Sequence, residues 1–357
     1  MTAADGSSTQ RGVTEGDPTG VDVAKVTDWF RANVPAAEPP LAFSRIAGGH
    51  SCLTFIVTDA SAQKFVLRRP PLGHVLATAH DVLREHRIMS ALQDTGMPVP
   101  RMLGACADNS VNDAPFYVMG HVEGSVLHDG EDARRSLPEE ETRRHASESM
   151  VDALVTLHGI DPDQVGLGDL SRRSGYLDRQ LRRWSSQWEA SKTRELPGME
   201  RLHQWLVDNR PADRAGGIVH GDFRLGNTLL SPDGTVQAIL DWELCTLGDP
   251  MADVSYLLRS WTQPEEPAGP RAELPTHIGG FLTREEMAQR YAERSGRDLG
   301  DLGYWMAFNA WRSAAISEGV YRRYLDGAMG QRPDHLDQYK LGVEASVEAG
   351  LASAGLS

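Results

Sequence analysis

The residues able to do chemistry concentrate in one stretch of this chain. His220-Gly221-Asp222 is followed after four residues by Asn227, and after thirteen more by Asp241-Trp242-Glu243. Between Asn227 and Asp241 lie two apolar runs, 228–230 and 235–240, around Ser231-Pro232-Asp233-Gly234. A Pro-Asp-Gly turn between such runs predicts a hairpin. Its midpoint at 234 pairs Asn227 with Asp241 and sets two oxygen ligands side by side. Asp222, in a glycine-containing loop five residues earlier, can point into the same space. A carboxylate and an amide oxygen suit a hard cation such as Mg²⁺, which takes few protein ligands and completes its shell with phosphate and water. The second carboxylate is then free to act as a base. Asp and Asn beside a turn also serve as plain solvated turn formers, so the set gains meaning from its order and its company.

The company lies upstream. Residues 52–58 and Lys64-Phe65-Val66-Leu67-Arg68 are β-branched and apolar runs joined by a turn-like segment, which predicts an antiparallel hairpin. Gly48, Gly49 and Ser51 precede it; backbone without Cβ can approach a phosphate closely, and two glycines before a strand can also be a simple turn. Residues 79–93 read as a helix with Val82, Leu83, Met89 and Leu92 on its apolar side and Gly96 with Pro98 as the stop. At helical spacing Glu85 lies beside that side, away from water. Residues 115–119 form another apolar strand, running into the glycine-bounded stretch 120–124, which suits a hinge. Beyond it the chain reads as helices at about 138–159, 173–191, 198–209, 250–262, 283–295, 301–326 and 333–353, interrupted by one short β element between Ile218 and Trp242. A leading helix is expected at 21–33. The proline- and glycine-rich 262–280 reads as a loop able to cover a site.

In this order, His-Gly-Asp, Asn and Asp-Trp-Glu after a glycine pair, a strand-end cation, a helix glutamate and a hinge resemble the aminoglycoside phosphotransferase family, relatives of choline kinases and of protein kinases. The resemblance covers about 41–325, and the motif wording is similar to a branch related to the kinase-like domain fused to some acyl-CoA dehydrogenases. It implies an α+β, protein kinase-like two-lobed fold: a β-rich N-lobe, a hinge and a mainly helical C-lobe. The expected boundaries are a disordered tail at 1–20, an N-lobe at 21–119 and a C-lobe at 120–357.

The resemblance implies transfer of the γ-phosphoryl group of ATP or GTP to a hydroxyl of a small molecule with Mg²⁺. Asp222 would be the base or orienting group, Arg224 the cation aimed at the transferring group, and Asn227 with Asp241 the metal ligands. Arg68, paired with Glu85, would contact the α and β phosphates, in a place where lysine is commoner. Gly48, Gly49 and Ser51 would cradle phosphate, while Met119 and His121, in the hinge, would meet the adenine edge. His220 is expected to brace the loop. Asp249 and Asp253 are expected to start the next helix and anchor the loop backbone, and most tryptophans of the second lobe to be core. The acceptor is aminoglycoside-like or hydroxyacyl-CoA-like; Arg172, Arg173, Arg179, Arg182 and Arg183 could supply a basic patch for CoA phosphates, or form a solvated face. A nucleotide-binding module without transfer activity, and a metal-dependent hydrolase, are the competing readings.

Composition narrows the partners. Lys plus Arg number 36 against 50 acidic residues, a net charge of −14, and such a surface repels nucleic acid and anionic lipid. The longest uncharged stretch, Ile46 to Thr58, falls short of the roughly 18 to 20 apolar residues that span a bilayer. Three scattered cysteines, with no CxxC, argue against a disulfide framework or zinc site. No secretory signal is read at the N-terminus. A cytoplasmic location is the expectation.

Overall fold

The computed structural model describes residues 18–46, 52–72, 81–214, 216–266, 273–328 and 336–356. The chain divides into two compact units: residues up to Glu123 together with Asp241–Glu243, and Gly124–Leu240 together with Leu244–Ser357.

The first unit runs α1 (Val23–Asn33), β1 (Ala42–Arg45), β2 (Leu53–Thr58), β3 (Lys64–Arg69), α2 (Val82–Leu92), β4 (Met102–Cys106), the short α3 (Asn109–Asn112) and β5 (Phe116–Gly120). The strands form one antiparallel sheet in the order β1-β2-β3-β5-β4. The β2–β3 hairpin pairs Leu53 with Arg69 through Thr58 with Lys64. Strands β1 and β4 have no counterpart in the sequence-based expectation. Neither run is rich in β-branched residues, and partners across the sheet rather than local propensity make them strands. Helix α1 lays Val26 and Phe30 onto the sheet; Trp29 meets Phe116 edge-on at 4.9 Å and Phe30 meets Phe65 at 6.0 Å. Phe65, Val66 and Leu67 are buried in succession, the mark of a strand covered on both faces. The expectation of a disordered segment through residue 20 is corrected at its end. Pro18 to Gly20 form a turn closed by the Val21 amide on the Pro18 carbonyl at 2.8 Å, and Arg69 donates to the Gly20 carbonyl.

The second unit contains α4 (Gly130–Ser136), α5 (Glu140–Gly159), α6 (Tyr176–Ser191), α7 (Pro197–Asp208), β6 (Gly217–Val219), β7 (Thr228–Leu230), β8 (Val236–Ile239), β9 (Thr246–Gly248), α8 (Met251–Arg259), α9 (Arg284–Ser295), α10 (Leu302–Leu325) and α11 (Asp337–Ser353). Helix α10 packs with α6, α7, α8 and α11, and Trp184, Trp188, Trp305 and Trp311 are buried in their common core. In place of one β element there are two small antiparallel pairs, β6 with β9 and β7 with β8. The arginine-rich run is not one helical patch. Helix α6 starts at Tyr176, Arg173 pairs with Asp163, and Arg179 turns back onto the Arg172 and Ser174 carbonyls.

Candidate active site

The loop from β6 to β7 carries Asp222, and its backbone is fastened from several sides. Gly221 has φ +87, and a Cβ there would lie 2.9 Å from the Leu244 carbonyl oxygen, so only glycine fits. The buried Asp253 carboxylate on α8 accepts from the His220 amide at 2.6 Å and the Gly221 amide at 2.8 Å. Burial works to raise the Asp253 pKa, but His158 and these donors hold it below the usual carboxylate range. His158, lowered by burial, has Nδ1 2.7 Å from the Tyr291 hydroxyl. The fully buried His220 ring receives the Asp222 amide on Nδ1 at 3.2 Å. Its proton therefore sits on Nε2, which donates to the Leu240 carbonyl at 3.0 Å. Asp249, just before α8, accepts from the Met251 amide at 2.9 Å.

Around the Asp222 carboxylate three donors converge. Asn227 Nδ2 donates to Oδ2 at 2.6 Å, and Arg224 Nε and the Tyr256 hydroxyl donate to Oδ1, the first at 3.2 Å. Burial and the neighbouring carboxylate raise the Tyr256 pKa, so its phenol keeps its proton. With Nδ2 committed to Asp222, the Asn227 Oδ1 is the atom left to accept or to coordinate. Arg224, expected to be the cation aimed at the transferring group, has its Nε on Asp222 Oδ1.

The hairpin register also differs from expectation. Thr228 pairs with Ile239, and the Leu240 amide donates to the Asn227 carbonyl at 2.8 Å. The residue opposite Asn227 is thus Leu240, not Asp241. The turn closes between Ser231 and Thr235, centring it on Asp233, and the ladder then shifts between Leu229 and Leu230, with Gln237 as the extra residue. Asp241 follows β8 with φ +66, one of three described non-glycine residues with positive φ. Such positions are uncommon and collect at functional sites.

In the first unit, Arg68 near the end of β3 has Nε 3.0 Å from Glu85 Oε2 and Nη2 3.1 Å from Asp241 Oδ1. Glu85 stands on the buried face of α2, which Asp81 caps through the Arg84 amide. The Tyr117 hydroxyl donates to the same Glu85 oxygen at 3.1 Å, and Tyr117 is the cross-strand partner of Arg68. Burial pushes Glu85 up to about 7, against the pull of Arg68. Burial also works against the Arg68 charge, but Tyr117, Glu85 and Asp241 more than offset it. Met119 lies within β5, paired with Val66 and Met102, and the Gly120 amide donates to the Arg101 carbonyl at 2.8 Å. The chain leaves the sheet at His121, whose Nδ1 is 3.4 Å from Glu123. Cys52 is buried, its thiol pushed up to about 12 by that burial. Gly48, Gly49 and Ser51 lie outside the described residues.

A model of the phosphotransferase enzyme family, APH, matches residues 42–302. The chain belongs to this family. Acyl-CoA dehydrogenase family member 10 of Mus musculus is 38% identical over 295 residues, 81% of this chain and 27% of that protein. Member 11 of Rattus norvegicus is 35% identical, covering 80% of this chain and 37% of that protein. The chain thus spans about a third of the length of the curated relatives it matches. A solved structure from Ralstonia eutropha, provisionally named an aminoglycoside phosphotransferase, superposes with TM-score 0.79 at 31% identity, covering 94% of this chain and 98% of the other. An ethanolamine kinase of Plasmodium vivax reaches TM-score 0.58 at 11% identity, covering 90% and 86%, which shows shared fold. The family fold is α+β and protein kinase-like, with an antiparallel N-terminal sheet and a mainly helical remainder. No helix among the described residues is long and apolar enough to cross a membrane.

Three residues in these networks carry no motif. Tyr117 could be found as the cross-strand neighbour of Arg68 once β3 and β5 are paired. Tyr256 lies three residues after Asp253, on the same helix face. Arg312 donates to the Gly221 carbonyl at 2.9 Å from 91 residues away, and no sequence spacing signals it.

Proposed function

We propose that this phosphotransferase family member moves the γ-phosphoryl group of ATP or GTP to a hydroxyl of a small molecule. The observation that carries the reading is the Asp222 carboxylate, held by Asn227, Arg224 and Tyr256 on a loop whose backbone is locked by His220 and Asp253. Such positioning is what phosphoryl transfer needs, since little covalent chemistry falls to the protein. Asp222 accepts the hydroxyl proton as the acceptor oxygen bonds to the γ-phosphorus and the bond to the β–γ bridging oxygen breaks, releasing the nucleoside diphosphate. Arg224, resting on Asp222, would turn to the transferring oxygens. Arg68, oriented by Glu85, binds the α and β phosphates through its fork, and Met119 and His121 meet the base through backbone groups.

The residues fit Mg²⁺: Asn227 presents Oδ1 because its nitrogen is spent on Asp222, and Asp241 offers a carboxylate from a left-handed backbone position. A bound Mg²⁺ would neutralise phosphate charge as it develops. The acceptor would be aminoglycoside-like or hydroxyacyl-CoA-like. Arginine at position 68 favours a second reading, a nucleotide-binding module without transfer. Asp222→Ala separates them. Phosphoryl transfer should drop by at least about a hundredfold while nucleotide binding persists; unchanged turnover would remove Asp222 from its role, and absence of transfer in the unaltered chain with every acceptor would favour the module.

A further inference from the structure

Arg183, Arg259 and Arg312 of the second unit have no carboxylate partner among the described residues. Arg312 on α10 is only 7% exposed. One of its nitrogens donates to Gly221, another lies 3.5 Å from Asn309 Oδ1, and its Nε has no hydrogen-bond partner among the described residues. Its guanidinium carbon sits 5.3 Å from the Trp184 ring centre and 5.4 Å from that of Tyr256, the tyrosine bound to Asp222. Arg183 on α6 lies 4.9 Å from the centre of the same Trp184 ring. Arg259, one turn beyond Tyr256 on α8, donates to the Ser346 hydroxyl at 2.9 Å. Several other arginines of this unit pair with carboxylates, Arg194 with Glu318, Arg284 with Glu266 and Arg290 with Asp152, and buried Arg143 is satisfied by three carbonyls.

This arrangement stands out in a chain of net charge −14. A desolvated guanidinium without a counter-ion is costly. Burial holds Arg259 down to about 10. An anion arriving at this cluster would supply the missing partner, and a polycation would meet repulsion.

We propose that Arg312, which lies against both the Trp184 and Tyr256 rings, together with Arg183 over the Trp184 ring and Arg259 one turn after Tyr256, forms an acceptor subsite that holds a phosphate or carboxylate at the non-reacting end of the acceptor. The proposal rests on the phosphotransferase reading and selects an anionic acceptor over an aminoglycoside. Arg312 touches the catalytic loop, so the test uses Arg183 and Arg259.

With the nucleotide site filled by AMP-PNP and Mg²⁺, the thermal stability of the full chain is measured with inorganic pyrophosphate, 3-hydroxybutyrate and kanamycin, and again in Arg183→Gln and in the Arg183→Gln/Arg259→Gln double variant. Further stabilisation by pyrophosphate or hydroxybutyrate, with apparent affinity about tenfold weaker in the double variant, is expected; the two anions distinguish phosphate from carboxylate. Arg183 is exposed on its helix, so the single variant keeps the fold and should show part of the loss. Stabilisation by kanamycin alone, or anion binding unaltered by the substitutions, would overturn the proposal. Should AMP-PNP give no shift, the phosphotransferase reading falls, while the anion arms run without nucleotide still decide whether these arginines bind.

Discussion

The Tyr256 hydroxyl donates to the same Asp222 oxygen that Arg224 reaches, so replacing it removes one charge-assisted bond and leaves the ring packing in place. Such bonds contribute about 1.5–3 kcal/mol. Tyr256→Phe should therefore lower kcat about tenfold or more with the nucleotide KM unchanged, as steady-state kinetics would show; an unaltered kcat would assign the tyrosine to packing alone. Glu85 gives a pH signature. Its folded pKa, about 7, lies above the ordinary carboxyl value of 4.5 because it is buried. The folded state thus binds the proton more tightly than the unfolded chain does. This contribution to stability is complete below about pH 4.5 and is lost as pH rises through about 7. Glu85→Gln should flatten that slope by on the order of 2 kcal/mol, measured by denaturant unfolding at pH 5 and pH 8; parallel profiles would mean that Glu85 is ionised throughout. The order and spacing of Asp222, Asn227 and Asp241 were legible without coordinates. Tyr117, Tyr256 and Arg312 were not, because each reaches its partner through a tertiary contact.

At the scale of elements, helical period was the dependable signal. The boundaries of α1, α5, α6, α7, α9 and α10 fall within a few residues of those read from apolar spacing, since one buried face repeats every 3.6 residues. Strands β1 and β4, and the short α4, escaped because their form depends on neighbours distant in the chain. The hairpin of β7 and β8 was visible through its turn residues, yet its register was off by one, because the turn centres on Asp233 rather than Gly234, a displacement of two that the extra residue Gln237 halves. That hairpin is docked on α5 through Gly234. Its φ is +89, and a Cβ would lie 2.3 Å from the Thr142 carbonyl oxygen and 2.8 Å from the Ala146 amide nitrogen. Both are backbone atoms of a long helix and cannot step aside. Gly234→Ala should cost about 2–4 kcal/mol and displace the hairpin that carries Asn227, seen as a lower unfolding midpoint with weakened transfer. Retention of both would show that the turn can lift from α5.

For the whole molecule, Arg68 pairs with Glu85 and Asp241 within the first unit, and Asn227 donates to Asp222 within the second. A nucleotide with Mg²⁺ that binds only the folded chain should raise its stability by about 2.7 kcal/mol at a hundredfold excess over Kd. Differential scanning with ATP and GTP, each with and without Mg²⁺, checks this; a shift independent of the metal would remove Asn227 and Asp241 as ligands. The amino-acid sequence by itself determined the family, the α+β kinase-like class, most helices and the ordered set of acid and amide groups. These rest on local periodicity and on side-chain chemistry at fixed spacing, which survive without knowledge of the fold. Tertiary structure alone decided which way the Asn227 amide faces, that Leu240 rather than Asp241 stands opposite it, and that Arg312 from a distant helix sits behind the Asp222 loop. Those outcomes depend on packing between segments tens of residues apart, where desolvation and hydrogen-bond satisfaction choose among arrangements that the sequence leaves equally open.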